Sequence, residues 1–379
     1  MNYSTIYIND CVVQVSSFIK NEGVSEYNFI IHTTVPGTIR EQISSLHNAI
    51  RDVFNREDYR NVIPLFKRYF VRDINIVSTI LSEETEFIND CALSLIQQPP
   101  LDGSEVAIWI IGVTDFKKDS LYEHSYSHNG YTHFWLAGAY SNNKTTKEQT
   151  ISILKEYDST LIGKVASIKD NCLRTWFFID EIDNNYKEFV EGRKSYFSSV
   201  GLDEKTHYIA STGICGNNGK NGSKVSMDAY ALLGHDKSQV KYLYSKDYLG
   251  PTYDYGVTFE RGVTIQYGDR RHVIISGTAS IDNRGNILCL NDIKGQTLRM
   301  WENVSVLLHE ANADYSDVSH MIVYLRNQDD YDFVERMFSD KFPNVPYIIT
   351  LAPVCRPGWL IEMECMATLP LGNGEYRNF

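Results

Sequence analysis

Near the end of the chain, Glu362 and Glu364 alternate along the short apolar run LIEMECMA. At strand spacing the two carboxylates share a face, while Ile361, Met363 and Cys365 point the other way. Two acids on such a strand need solvent, ion partners or a chemical task. Burial raises a carboxyl pKa, so Glu362 is a candidate to hold a proton near neutrality and deliver it. Cys355 and Arg356 stand just ahead. A catalytic thiol wants a base beside it, and no histidine is adjacent in sequence, so Cys355 reads as a pocket wall in preference to a nucleophile. Arg356 is either an anion ligand or half of a structural ion pair. Arg174 lies in the apolar strand LRTWFFI, where an arginine pairs with a substrate carboxylate or with an acid of the protein. Arg193, in the helical segment GRKSYF, is expected at the same cleft. Two guanidiniums would suit a dianionic substrate, because each planar fork matches a carboxylate bidentately.

An internal repeat positions these residues. Residues 133–231 run small-residue strand, amphipathic helix (146–170), apolar strand, second helix (185–197), polar strand and closing strand. Residues 260–367 repeat that order. The closing strands VSMDAYA and IEMECMA superpose: Met227 on Met363, Asp228 on Glu364, Ser226 on Glu362. Glu364 therefore repeats as an acid and reads as structural, whereas Glu362 is peculiar to the second copy. The strand HFWLAGAY ends in small residues and Tyr140, and SGTASI offers Gly277 and Thr278; these are candidate substrate contacts. The predicted fold is α+β, with tandem modules that each carry two helices on one face of a mixed sheet. A small ligand is expected in the groove between modules, with the N-terminal third as a further wall. Expected boundaries are 1–120, 121–250 and 251–379. The N-terminal third is expected to be a separate α/β domain, with helices over 38–49 and 58–70 and strand over 71–80.

Bulk properties exclude several classes. The chain has 379 residues and a net charge of -12, which disfavours a general nucleic-acid grip. No apolar run of about 18 residues predicts a membrane span, and MNYSTIYIND does not read as a signal peptide. The seven cysteines show no CxxC and read as reduced thiols, so a cytoplasmic protein is expected. His124, His128 and His133 cluster, but neither their spacing nor Glu123 forms a recognisable ligand set, so no metal is expected. The loop GICGNNGKNGSK lacks the GxxxxGK[ST] pattern and leads into a strand; it reads as a surface hairpin, not a phosphate loop.

The segments HFWLAGA, LRTWFFID, YKEFVEGRKSYF, ASTGICG, SMDAYA, FERG, SGTASI and CRPGWLIEME together resemble the chorismatase family, within the YjgF/Rid-like superfamily. The resemblance covers roughly residues 125 to 370. It implies YjgF-like modules of the bacillus chorismatase, chorismate mutase-like type, as a monomer or homotrimer, with the active site in a cleft of the C-terminal part. It further implies cleavage of the enolpyruvyl ether of chorismate, with release of pyruvate and no metal or organic cofactor. Glu362 would protonate the enol ether methylene, and Arg174 and Arg193 would hold the substrate carboxylates. Cys355 resembles the branch that makes 3-hydroxybenzoate; the alternative product is a dihydroxycyclohexadiene carboxylate. Two other classes compete. A Rid-like enamine or imine hydrolase is disfavoured because no arginine stands between Lys341 and Arg356. A non-catalytic protein that binds small carboxylates is the third.

Overall fold

The computed structural model describes residues 1–84, 90–119 and 124–379; Glu123 lies outside them. The chain forms three six-stranded sheets. The first contains β1 (Asn2–Ile8), β2 (Cys11–Phe18), β3 (Glu26–Thr33), β4 (Ile63–Val71), β5 (Ala92–Gln97) and β6 (Val106–Val113), with helices α1 (Ile39–Phe54) and α2 (Ile74–Glu83). The second contains β7 (Lys117–Lys118), β8 (Ser125–His128), β9 (Tyr131–Tyr140), β10 (Cys172–Ile179), β11 (Ala210–Cys215) and β12 (Val225–Leu233), with α3 (Thr146–Gly163), α4 (Ile168–Asn171) and α5 (Ile182–Ser199). The third contains β13 (Val240–Leu243), β14 (Gly262–Gln266), β15 (Arg271–Ala279), β16 (Val318–Leu325), β17 (Tyr347–Leu351) and β18 (Ile361–Leu369), with α6 (Ile293–Glu310) and α7 (Tyr331–Lys341).

The strand orders are β1-β2-β3-β6-β4-β5, β11-β10-β12-β9-β8-β7 and β13-β14-β15-β18-β16-β17. These are one topology used three times. Only the fourth and fifth strands of each sheet pair in parallel, joined by the second helix as a crossover. The last strand of each sheet inserts at its centre. A charge placed there is buried and must find a partner.

The N-terminal third is therefore a further copy of the module and not a different α/β domain. The helix expected over 58–70 is strand β4, and the strand expected over 71–80 is mostly α2. Lys67 and Arg68 misled the pattern. Both are buried within an aromatic strand, Lys67 on Asp90 at 2.5 Å and Arg68 on Asp228 at 2.8 Å. The third sheet begins at Val240, ahead of the boundary expected at residue 250. The helix expected over 146–170 breaks near Val165, whose φ is +59°.

The modules close into a ring. β5 packs beside β9, β11 beside β15, and β16 beside β2 and β3. Trp109, Asp228 and Glu364 occupy equal register positions on the three central strands. Each acid is held by an arginine from the preceding module: Arg68 binds Asp228, and Arg174 binds Glu364 at 2.6 Å. In the third position Trp109 packs against His320, with ring centroids 4.4 Å apart and the rings tilted by 35°.

Candidate active site

The acid Glu362 lies on β18 opposite Tyr324 of β16 and Ala279 of β15. The β15–β18 register slips between Ile275 and Thr278. That irregularity places Gly277 against the Glu362 carboxyl. A Cβ at residue 277 would collide with a Glu362 oxygen and approach Thr212 Cγ2 to 3.0 Å, so the backbone approach requires glycine. The neighbouring module locks this geometry. The Gly277 N–H donates to Thr212 Oγ1 (2.9 Å), the Ser211 N–H donates to Ser276 Oγ (2.9 Å), and Ser276 Oγ–H donates to the Glu260 carbonyl (2.6 Å).

The two acids of the strand differ sharply. Glu364 is saturated: Arg174 Nη2 (2.6 Å) and Trp176 Nε1 (2.7 Å) donate to it, and Thr212 Oγ1 is in close contact. Glu362 is 5 % exposed, and among the described residues no hydrogen-bond donor reaches its carboxyl. Burial, reinforced by the neighbouring Glu364 charge, pushes the Glu362 carboxyl up to about 8 against the pull of Arg174 and Arg261. Glu362 is thus a protonated acid near neutral pH, facing a cleft.

That cleft lies between the second and third modules and holds about 510 Å³ of atom-free space continuous with solvent. Arg193 of α5, Arg261 ahead of β14 and Arg356 ahead of β18 line it, with Tyr186, Phe259 and Trp359 as its aromatic surfaces. Arg193 Nε donates to Thr258 Oγ1 (3.0 Å), and its guanidinium sits 4.7 Å from the Phe189 ring centre. Arg356 bonds the Gly285 carbonyl (2.8 Å) and covers Trp359. Cys355 also lines the cleft; burial, then the Glu362 charge, pushes its thiol up to about 12. A thiol so disfavoured as thiolate suits a wall better than a nucleophile.

Of the residues singled out in the sequence, Glu362, Arg193, Cys355, Arg356 and Gly277 converge on the cleft. Arg174 does not line it; it stands behind, holding Glu364 and Thr212. Of the two partners open to it, the acid is the one it has. The Thr278 hydroxyl is turned to the Ser276 carbonyl (2.9 Å). Tyr140 occupies the strand end of the second module, opposite Ser226, and is 38 % exposed. Repeating the strand moved Tyr140 to the corresponding cleft of another module, not to the one with Glu362. Among the described residues none of the N-terminal module lines the cleft, so the third wall expected from it is supplied by α5 and the approach to β14. Arg261, Tyr186, Ser211 and Phe259 were not singled out; Phe259 and Arg261 lie in FERG, whose signal was present without a role. Among the described residues no group of three or more His, Cys, Asp or Glu side chains is arranged to hold a metal ion. No helix is long and apolar enough to cross a membrane, among the described residues.

Three copies of a sheet-and-helix module in a ring, with a ligand cleft at a module boundary, define the class. The chain belongs to the YjgF/Rid-like superfamily. Residues 262–369 match the family described as Endoribonuclease L-PSP. A RutC family protein of Pyrococcus abyssi (strain GE5 / Orsay) is 32 % identical over 97 residues, covering 25 % of this chain and 76 % of that protein. The 3-aminoacrylate deaminase RutC of Acinetobacter baylyi is 26 % identical over 98 residues, covering 25 % and 77 %. A chorismatase crystal structure superposes with a TM-score of 0.61 at 16 % identity, over 80 % of this chain and 93 % of that one. This last likeness is one of fold and extends across all three modules. Kinship with the RutC proteins supports an enzymatic activity of this general kind.

Proposed function

We propose that the cleft cleaves the enolpyruvyl ether of chorismate and releases pyruvate, with Glu362 as the general acid. The observation that carries this reading is the Glu362 carboxyl, buried, raised to about 8 and facing a cleft lined by three arginines. Chorismate carries two carboxylates, and guanidiniums match carboxylates in geometry and charge. Arg193, Arg261 and Arg356 are the groups suited to hold them. Glu362 would give its proton to the enol ether methylene, leaving an oxocarbenium-like centre at the ether carbon. The low-dielectric site places the new carboxylate close to that developing positive charge.

Two completions balance. In the first, the substrate's own ring hydroxyl attacks the adjacent ring carbon as the bond from that carbon to the ether oxygen breaks and pyruvate leaves, and opening of the resulting epoxide with loss of a ring proton gives 3-hydroxybenzoate, with no water consumed overall. Attack by water gives pyruvate and a dihydroxycyclohexadiene carboxylate. The resemblance of Cys355 to the branch that makes 3-hydroxybenzoate supports the first. The test is incubation with chorismate while pyruvate and the aromatic product are followed by mass. Pyruvate release above the uncatalysed rate is expected. Its absence, with ammonia released instead from an imino acid generated in situ, would replace this reading with a Rid-like hydrolase.

A further inference from the structure

A second cavity lies on the axis of the module ring, away from Glu362, and holds about 560 Å³ of atom-free space, part of it open to solvent. The repeat builds it in layers. Asn28, Trp135 and Ile274 occupy one register position of β3, β9 and β15, facing Ile111, Tyr230 and Met366 across the central strands. Two residues away, Glu26, His133 and His272 form the next layer. The Phe379 ring covers that layer, with its centre 5.2 Å from His133 and 4.6 Å from His272.

Two polar groups here are unexplained by the fold. Trp135 Nε1 and His133 Nε2 belong to side chains only 5 % and 2 % exposed, both lining the cavity, and neither has a hydrogen-bond partner among the described residues. Buried donors and acceptors are nearly always satisfied, so two orphans in one cavity point to a missing occupant. The His133 Nδ1 is engaged with the Tyr230 hydroxyl at 2.8 Å, which leaves Nε2 alone to face a ligand. Burial pushes the His133 imidazole down to about 3, so it is neutral. Glu26 is held down to about 2 by His272 and Arg270 despite its burial, so it is ionised, and it commits the Arg270 guanidinium (2.6 Å) that an anionic ligand would otherwise use. The remaining surface mixes aliphatic side chains, among them Leu65, Ile111, Val113, Ile274 and Met366, with the polar Asn28, Ser319 and Thr368 and the Phe379 ring.

We propose that this axial cavity is a binding site for an uncharged, ring-sized organic molecule with one hydrogen-bond acceptor, seated between Trp135 Nε1 and His133 Nε2. Its chemistry is the opposite of that expected at the Glu362 cleft, where cations line the wall. The two sites are therefore separable by ligand charge. Unlike the cleft, the axial cavity draws on all three modules, and an occupant there would bind only the closed ring.

The test uses 4-bromophenol as a neutral probe and benzoate as an anion of similar size, with the full chain. Calorimetry is expected to show one equivalent of 4-bromophenol bound. Anomalous scattering from a soaked crystal is expected to place bromine in the axial cavity. Benzoate should bind there at least tenfold more weakly. Trp135→Phe, which keeps an aromatic ring and removes the N–H, should weaken 4-bromophenol at least tenfold. Ordered water alone in the cavity, bromine only at the Glu362 cleft or the surface, equal binding of benzoate, or an unchanged affinity in Trp135→Phe each overturns the proposal. The crystallographic arm needs no variant, so it decides even if Trp135→Phe folds poorly.

Discussion

The ring contains three equivalent module boundaries, and two of them invite direct comparison. At the boundary between the second and third modules, the edge strand presents Ser211, Thr212 and Gly213. By register the corresponding residues between the third and first modules are Tyr347, Ile348 and Ile349. The centre strand presents Glu362 in the first case and Ala107 in the second. The boundary with Tyr347 still collects titratable groups, yet they satisfy one another: the Tyr347 hydroxyl donates to Glu335 (2.9 Å), and His32 pairs closely with Asp102. At the remaining boundary, Leu93 and Leu95 replace Ser211 and Gly213, and Ser226 replaces Glu362. Only at the first of these boundaries, among the described residues, does an edge strand that has lost bulk stand beside a centre-strand acid without an internal partner. The function proposed for this chain rests on that local substitution, not on the fold.

The comparison breaks most severely at its acid. Glu362→Gln keeps size and shape but cannot act as the acid, so turnover of chorismate should fall by about 10³-fold. For wild type, the rate should decline as pH rises through about 8, because the acid is active only while protonated. Stability carries the same signature. The folded carboxyl titrates above its ordinary range, so its favourable contribution is complete below that range and fades as pH climbs through about 8. Glu362→Gln has no charge to bury and should melt above wild type at alkaline pH, by an amount on the order of a few kcal/mol. An unchanged rate in Glu362→Gln would move the acid role elsewhere.

Bulk comes next. Gly213→Leu imitates the other two boundaries. A Cβ there would lie 3.5 to 3.7 Å from Phe189, Ile179 and Tyr186, which is ordinary contact, so Gly213→Ala should fold and retain most activity. The longer leucine enters the cleft and should lower kcat/KM about 100-fold by displacing the substrate. Steady-state kinetics beside a melting curve separates this from misfolding. Arg261→Ala should then raise KM by about tenfold or more through loss of a charge-assisted contact, with a smaller change in kcat. A KM unaltered by the substitution would leave carboxylate binding to Arg193 and Arg356.

The parts of this arrangement visible in sequence are those where chain order mirrors space. The pairing of VSMDAYA with IEMECMA separated Glu362 from Glu364 because residues alternate strictly along strands, and Glu364 is indeed the saturated acid. The N-terminal copy was hidden because its central strand carries Trp109 where the others carry an acid, and because Lys67 and Arg68 interrupt the apolar pattern of β4. Their partners, Asp90 and Asp228, are distant in sequence, so the charges looked exposed. Arg261 and Tyr186 were missed for a related reason. They reach the cleft from a loop and a helix of different modules, and convergence of that kind leaves no local spacing. Arg174 shows the converse: its burial implied a partner, but chain order could not say whether that partner was a substrate or Glu364.

The smallest expected effect concerns Cys355, and it sharpens the boundary between binding and product choice. Its thiol lies beside Tyr186 and Glu362 and is raised, chiefly by burial, to about 12, so it remains a thiol throughout the physiological range. Cys355→Ala should therefore cost only a few-fold in pyruvate release, where loss of a covalent nucleophile would cost orders of magnitude. Removal of the sulfur also opens space beside the acid. Water can occupy that space, so the ratio of dihydroxycyclohexadiene carboxylate to 3-hydroxybenzoate should rise. Product analysis by mass, with the two compounds quantified from the same incubation, reads both effects. A near-normal rate with a shifted ratio assigns Cys355 to shaping the cleft. A loss of pyruvate release comparable to that of Glu362→Gln would instead place the thiol in the proton-transfer step.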